Sequence, residues 1–281
     1  MYNSCDYWIN KKTEYKYRLM NMWRHLRELL AARELLFTLV RRDVLAKYKQ
    51  AFMGVMWAIL QPLVLMVMFT MVFSRFAKVP SEGIPYPIFS YTALLPWGFF
   101  SGGISAACSS IVGNTSLISK IRMPTDVFPF SAILARGVDL AISTVVFIGM
   151  MLIYHVSPNM TMLWVVPLML TQLLLMAGIG LLLSSMAVFY RDINFGIGMF
   201  MQMWMFASPV AYPISIVPER YLGIYMLNPM VTIMDGYRKA VLHAEVPDLE
   251  RLGVVFVAAS VFFIFSYWFF KHQEGKVADL I

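Results

Sequence analysis

Long stretches without charge dominate the chain. No Asp, Glu, Lys or Arg falls between Gln50 and Ser74, Gly83 and Ser119, Leu140 and Tyr190, Ile193 and Pro218, or Leu252 and Phe270. A helix needs about 20 apolar residues to cross the hydrocarbon core. The longest stretch holds two crossings, because Ser157-Pro158-Asn159 interrupts it with turn residues. Its first half extends back through Arg136 to about Asp126. The pattern predicts six spans, at 52–74, 88–110, 127–154, 163–189, 195–216 and 252–270.

Two spans are irregular. Span two carries Pro96 and small residues at Gly98, Gly102 and Ala106, with Gly103 and Ala107 beside them. Small residues at this spacing let helix backbones approach closely, either within one subunit or at a dimer seam. Span five carries Pro209 and Pro213, which must break or kink its helix. The segment 217–251 is too apolar for a free loop. Asn228-Pro229 there reads as an N-cap followed by proline at the first helical position, opening a helix over Met230 to His243. Short helices dipping back into the membrane fit this stretch. Before span one, residues 24–49 carry seven basic and three acidic residues, with Leu29, Leu36, Val40, Val44 and Tyr48 at helical spacing. Such a helix lies in the membrane interface, as an anchor or as a docking surface. The chain thus divides into a tail (1–23), an amphipathic interface helix (24–50) and a six-span domain (51–281).

Composition narrows the class. Of the 281 residues, 59% are apolar or aromatic and 14% charged, against about 25% charged in soluble domains. This excludes a soluble enzyme, a nucleic-acid-binding domain and a disordered chain. Eleven of the 23 Lys and Arg lie in residues 1–50. Six spans with both termini inside put 16 basic residues on the cytoplasmic face and six outside, which satisfies the positive-inside rule. Two cysteines imply no disulfide framework, and the first thirty residues lack the apolar core of a signal peptide.

The candidate chemistry is sparse. Arg136 and Asp139 form an intramembrane ion pair, spaced to meet on one helix face. Arg136 lies about twelve residues, roughly 18 Å of helix, beyond the cytoplasmic entry near Pro124. The pair is either structural or faces a conduit. Aromatic residues are abundant; Trp57, Phe200, Trp204, Phe206 and Tyr212 are candidates to line a path. No G-x-x-x-x-G-K-[ST] phosphate loop is present, and no cluster of residues has metal-ligand spacing.

Several stretches are familiar in order: Asn114-Thr115-Ser116-Leu117-Ile118-Ser119-Lys120-Ile121-Arg122-Met123-Pro124, Phe189-Tyr190-Arg191-Asp192-Ile193, Ser208-Pro209-Val210-Ala211-Tyr212-Pro213, Leu227-Asn228-Pro229-Met230 and Val277-Ala278-Asp279-Leu280-Ile281. Together they resemble the membrane subunits of type-2 ABC exporters of O-antigen, teichoic acid and related lipid-linked polysaccharides, over about residues 28–281. Met123 stands where that family often has an aromatic residue.

The resemblance implies an all-α membrane protein of the bacterial cytoplasmic membrane. It implies that the chain pairs with a second copy and with two cytoplasmic ATPase subunits, surrounded by membrane lipids, with a lipid-linked polysaccharide as cargo. No cofactor is then bound by this chain; ATP and Mg belong to the partner. The implied ATPase contacts are Arg41, Arg42, Lys120 and Arg122, with Arg191 and Asp192 added as a compact charged turn. The family's re-entrant outer gate maps onto Tyr221, Tyr225, Asn228, Pro229 and Tyr237. Within the family the alternative cargo is a drug or small lipid. A secondary carrier would carry more ionisable residues in its spans, and a membrane enzyme acting on a polyprenyl lipid would cluster acids or histidines near one face.

Overall fold

The computed structural model describes residues 32–49, 54–120 and 123–280, with side chains through 276. The described secondary structure is helical throughout. In chain order the helices are α1 (Arg33–Lys49), α2 (Met56–Phe69, continued by a π-helical Thr70–Phe76), α3 (Tyr86–Ser110), α4 (Thr115–Ile118), α5 (Val127–Ile153), α6 (Val165–Phe189), α7 (Asp192–Phe206), α8 (Glu219–Tyr225), α9 (Pro229–Arg238, continued by a π-helical Lys239–His243) and α10 (Leu249–Leu280).

The molecule is an all-α membrane protein. Four helices are long and apolar enough to cross a membrane: Met56–Phe76, Val127–Ile153, Met160–Phe189 and Leu249–Lys276. Tyr86–Ser110 together with Val112–Ile118, bent by 49°, meets the same test as a pair and is a fifth candidate. The expected span over 195–216 is different. Its helix α7 has 15 residues, about 22 Å at 1.5 Å per residue, and stops at Phe206. The chain then turns through Ser208-Pro209 and Tyr212-Pro213 into a 3-10 turn at Ile214–Ile216. Proline has no amide hydrogen to extend the ladder and clashes with the preceding turn, so the sequence itself ends α7 short of a full crossing.

The core lies between α3, α6, α9 and α10. Residues of α3 dominate it, with Phe89, Phe100 and Ile104 fully buried, while Ile88 and Tyr91 are buried against α2 and α5. Small residues set the separation of α3 and α6. A side-chain carbon on Gly103 would fall 2.3 Å from Met176 Sδ, and one on Gly180 would fall 2.8 Å from Ala107 Cβ. For these positions, the small stripe of span two serves packing within the chain.

Two helices run in succession along α5. Leu39 of α1 is buried with Val127 and Phe128, and Lys47 and Tyr48 reach Asp139. Further along, Ser143 donates to the Ala58 carbonyl of α2 (3.0 Å), and Leu63 and Met66 pack around Met150. The amphipathic face Leu36, Val40, Val44 and Tyr48 is therefore half-buried against protein, while Phe37, Arg41 and Leu45 are exposed. Residues 24–31 of the expected helix, Leu29 among them, lie outside the described residues.

Candidate functional sites at the two ends of the bundle

At one end, five segments converge. The apolar side chains of Leu35, Leu36 and Leu39 pack with Leu117 and Ile118 of α4, with Met123 and with the start of α5. Ile118 also packs against a second cluster of Ile111, Leu181, Tyr267 and Phe270, which brings in the ends of α6 and α10. An ionic network ties this end together. Lys271 Nζ lies 3.0 Å from Asp126 Oδ2 and 3.2 Å from Glu274 Oε2. Tyr267 OH donates to Asp126 Oδ2 (3.0 Å), and Glu274 Oε1 accepts from the Thr125 amide and hydroxyl (2.9 and 2.8 Å). Asp126 is fully buried. Burial pushes its carboxyl above the ordinary range, against the pull of Lys271.

Around this network stand the basic residues singled out from the sequence. Arg41 and Lys120 are exposed. Arg42 bonds its neighbour Asp43 (2.7 Å). Arg191 and Asp192 are exposed in the turn between α6 and α7, and the start of α7 is held to α3 by Cys108 Sγ donating to Asn194 Oδ1 (3.4 Å). Arg122 lies outside the described residues. An open groove of about 420 Å³ runs along α1, lined by Thr38, Arg41, Arg42, Leu45, Ala46 and Lys49.

The Arg136–Asp139 pair belongs to a larger cluster. Arg136 Nη1 is 3.4 Å from Asp139 Oδ2, and Asp139 also accepts from Lys47 Nζ and Tyr48 OH. Two cations and a phenol therefore share one carboxylate, at the level where α1 gives way to α2. Sequence spacing found the pair because both residues lie on one helix. Lys47 and Tyr48 are 92 and 91 residues from Asp139, and no local pattern links them.

The opposite end is built around the non-helical Ser208–Pro213 segment. Val210 and Ala211 are buried there, and their carbonyls have lost helical partners. Each finds a substitute. Arg238 Nη2 donates to Val210 O (2.7 Å) and Nη1 to Tyr212 O (3.0 Å); Tyr86 OH donates to Ala211 O (2.6 Å). Arg238 is only 3% exposed, and its guanidinium carbon stands 3.8 Å from the centre of the Phe89 ring, a stacking that suits this planar, weakly hydrated cation. The sequence reading counted Arg238 merely as a basic residue outside the spans.

Asn228 is the second fastening. Its Oδ1 accepts from the Met230 amide (3.0 Å) and from Trp204 Nε1 (3.0 Å), and its Nδ2 donates to Ala207 O (3.0 Å) and Ser208 Oγ (2.9 Å). The expected N-cap is present, with Pro229 at the first helical position, and the same side chain also grips the end of α7. Tyr225 OH lies 3.2 Å from Tyr212 OH. Tyr237 is buried against α6, its hydroxyl 3.9 Å from Met169 Sδ. Tyr221 is half-exposed and stacks with Arg220 (4.4 Å). Glu82 joins the ring of contacts, accepting from Ser215 Oγ (3.1 Å) and facing His243 Nε2 (3.4 Å).

Four of the five conduit candidates fall in two linked pairs, Phe200 with Trp204 and Phe206 with Tyr212. Trp204 packs edge-on against Phe200 (5.7 Å), Phe100 (5.4 Å) and Trp97 (6.4 Å), and Tyr212 OH donates to Phe206 O (2.8 Å). Phe200 and Phe206 are half-exposed. Trp57 stands apart, exposed at the start of α2. Among the described residues no group of His, Cys, Asp and Glu has the arrangement to hold a metal ion.

The chain is similar to known transport proteins along most of its length. The O-antigen export system permease protein RfbA of Myxococcus xanthus is 29% identical over 263 residues, covering 92% of this chain and 100% of its own length. A Klebsiella pneumoniae protein of the same name is 23% identical over 249 residues, covering 88% and 95%. The polysialic acid transport protein KpsM of Escherichia coli is 24% identical over 212 residues, covering 74% and 81%. Residues 34–242, from α1 through the helix behind the far-end segment, match the ABC-2 type transporter family, and the chain belongs to that family of membrane transport proteins.

Proposed function

We propose that this chain is the membrane-spanning subunit of an ATP-driven exporter that carries a lipid-linked, O-antigen-like polysaccharide across the bacterial cytoplasmic membrane. It works as a pair, with two ATPase subunits docked on the cytoplasmic side; ATP and Mg belong to those subunits. The end carrying α1, α4, the start of α5 and the last turns of α10 faces the cytoplasm, in keeping with the concentration of Lys and Arg in the sequence. The short α7, the 208–213 turn and α8–α9 complete a sixth, broken crossing with a re-entrant gate at the outer face.

The observation that carries this reading is the joining of α1 to α4 and to the start of α5 through Leu35, Leu36, Leu39, Leu117 and Ile118. An amphipathic helix serving only as an anchor would leave its apolar face to lipid. Here that face is spent on α5 and, near its start, on Leu117, Ile118 and Met123 of the loop between spans two and three, so that Arg41 and Lys120 stand on one platform. A push on either element is transmitted to α5. The relatives that export O-antigen or polysialic acid supply the cargo class. Half-exposed aromatics at Phe200 and Phe206 offer stacking faces that tolerate varied sugars.

Charge reversal tests the docking face. Arg41→Glu with Lys120→Glu and Arg122→Glu is expected to abolish co-purification with the ATPase and polymer at the cell surface, with normal amounts of the permease in the membrane. Intact assembly and export in the triple variant would refute the docking assignment.

A further inference from the structure

Pro96 lies inside α3, in the half of the bundle next to the far-end segment. Behind it lies a cavity of about 330 Å³, bounded by α3, α5, α6 and the wall that α9 contributes through Tyr237 and Val241. That volume is at the lower end of the range of small-molecule sites. The lining is mostly Leu, Ile, Phe, Met and Val side chains. The cavity has a mouth: Ile148, on its rim, is 52% exposed between α5 and the start of α6.

One polar group on its wall is out of balance. Gln172 is fully buried. Its Nε2 donates to the Pro96 carbonyl (2.7 Å), which fixes the amide orientation, because only the NH₂ end can face a carbonyl. Its Oε1 has no hydrogen-bond partner among the described residues. A buried acceptor left unmade costs about 1–3 kcal/mol, so a ligand that donates to it gains correspondingly. Thr92 and Thr144, also on the wall, have committed their hydroxyls to the Ile88 and Leu140 carbonyls. Proline at 96 moreover has no amide hydrogen to give the Thr92 carbonyl. The wall thus offers an acceptor in an otherwise apolar chamber that opens sideways.

We propose that this cavity is a lipid-accessible binding site for a neutral amphiphile with an apolar chain and a hydroxyl group, the hydroxyl donating to Gln172 Oε1. The occupant enters past Ile148 from the surrounding bilayer, and Tyr237 makes its presence felt at α9. The site is separate from the aromatic series of α7 and from the basic platform, and it does not depend on the cargo.

The test uses the full chain in lipid nanodiscs and two photoreactive probes, a diazirine-bearing dodecanol and the matching diazirine-bearing dodecane. Peptide mapping is expected to place alcohol adducts on the cavity wall, at Met151, Met169 or Tyr237, with the alkane labelling these positions about threefold to tenfold less, as one hydrogen bond requires. Gln172→Leu is expected to remove the difference between the probes. Because that variant also loses the bond to Pro96, Ile148→Trp serves as a second: it narrows the mouth, leaves Gln172 in place and lowers labelling by both probes. Equal labelling by alcohol and alkane, adducts spread over all lipid-facing helices, or unchanged labelling in Ile148→Trp would each overturn the proposal.

Discussion

Asn228 uses all four of its hydrogen-bonding positions, two as acceptor and two as donor. This separates two roles that sequence alone merges. As an N-cap it is interchangeable with Asp or Ser. As a bridge to Ala207 and Ser208 it needs its NH₂ group, which a carboxylate lacks. Asn228→Asp is therefore expected to keep α9 capped yet destabilise the far end by about 1–3 kcal/mol for each group left unmade, read as a lower thermal unfolding midpoint in detergent. Asn228→Asp with an unchanged midpoint would reduce the residue to a cap. The cap was legible in the dipeptide Asn228-Pro229, because capping is local. The bridge was not, because Trp204, Ala207 and Ser208 reach it only after the chain has turned through two prolines. Arg238 was hidden for the same reason: its acceptors are 26 and 28 residues away.

At the scale of elements, charge-free stretches located α2, α3, α5, α6 and α10 to within a few residues. They overstated α7, since absence of charge marks what a bilayer tolerates and does not say where a helix stops. Pro209 held that information, and the helix ends three residues before it. The start of α5 and the last turns of α10 are held by Asp126, Lys271, Glu274 and Thr125, an arrangement foreshadowed in sequence only by Lys271 and Glu274 standing three apart after an apolar run. Removing one member of a buried ion pair is more harmful than replacing both. Lys271→Met is expected to cost about 3–5 kcal/mol by stranding Asp126, seen as loss of monodisperse protein on size-exclusion chromatography after heating. Asp126→Leu with Lys271→Met is expected to recover most of it. A double variant as fragile as the single would show that the network does more than neutralise charge.

For the whole molecule, the two ends are built by opposite means. One is a broad hydrophobic and ionic joint between five segments; the other is a non-helical turn held by single side chains, Arg238, Tyr86 and Asn228. The sequence displayed the chemistry of the first as basic residues and an apolar stripe, and displayed the second as proline and an apolar loop. In neither case did it show what the stripe or the turn rests on. Leu39 is the pivot of the first: 5% exposed, against Val127 and Phe128. Leu39→Ala removes side-chain volume that in buried cores costs about 2–5 kcal/mol. It is expected to loosen α1 and to produce the same loss of ATPase co-purification as is expected of charge reversal, although every charge is retained. Normal co-purification in Leu39→Ala would show that α1 docks its partner without being seated on α5.

The seat of α1 also orders events during synthesis. The residues that hold α1 in place, Val127, Phe128 and Asp139, are translated some 90 residues after it, as the 92-residue separation of Lys47 from Asp139 records. When α1 leaves the ribosome it has no protein surface to rest on, and it waits at the membrane until the third span has been inserted. The platform carrying Arg41 and Lys120 is therefore completed late. A permease truncated before α5 has the basic residues of α1 but not their arrangement, so on the proposed docking role half-made chains are expected not to capture ATPase subunits away from finished ones.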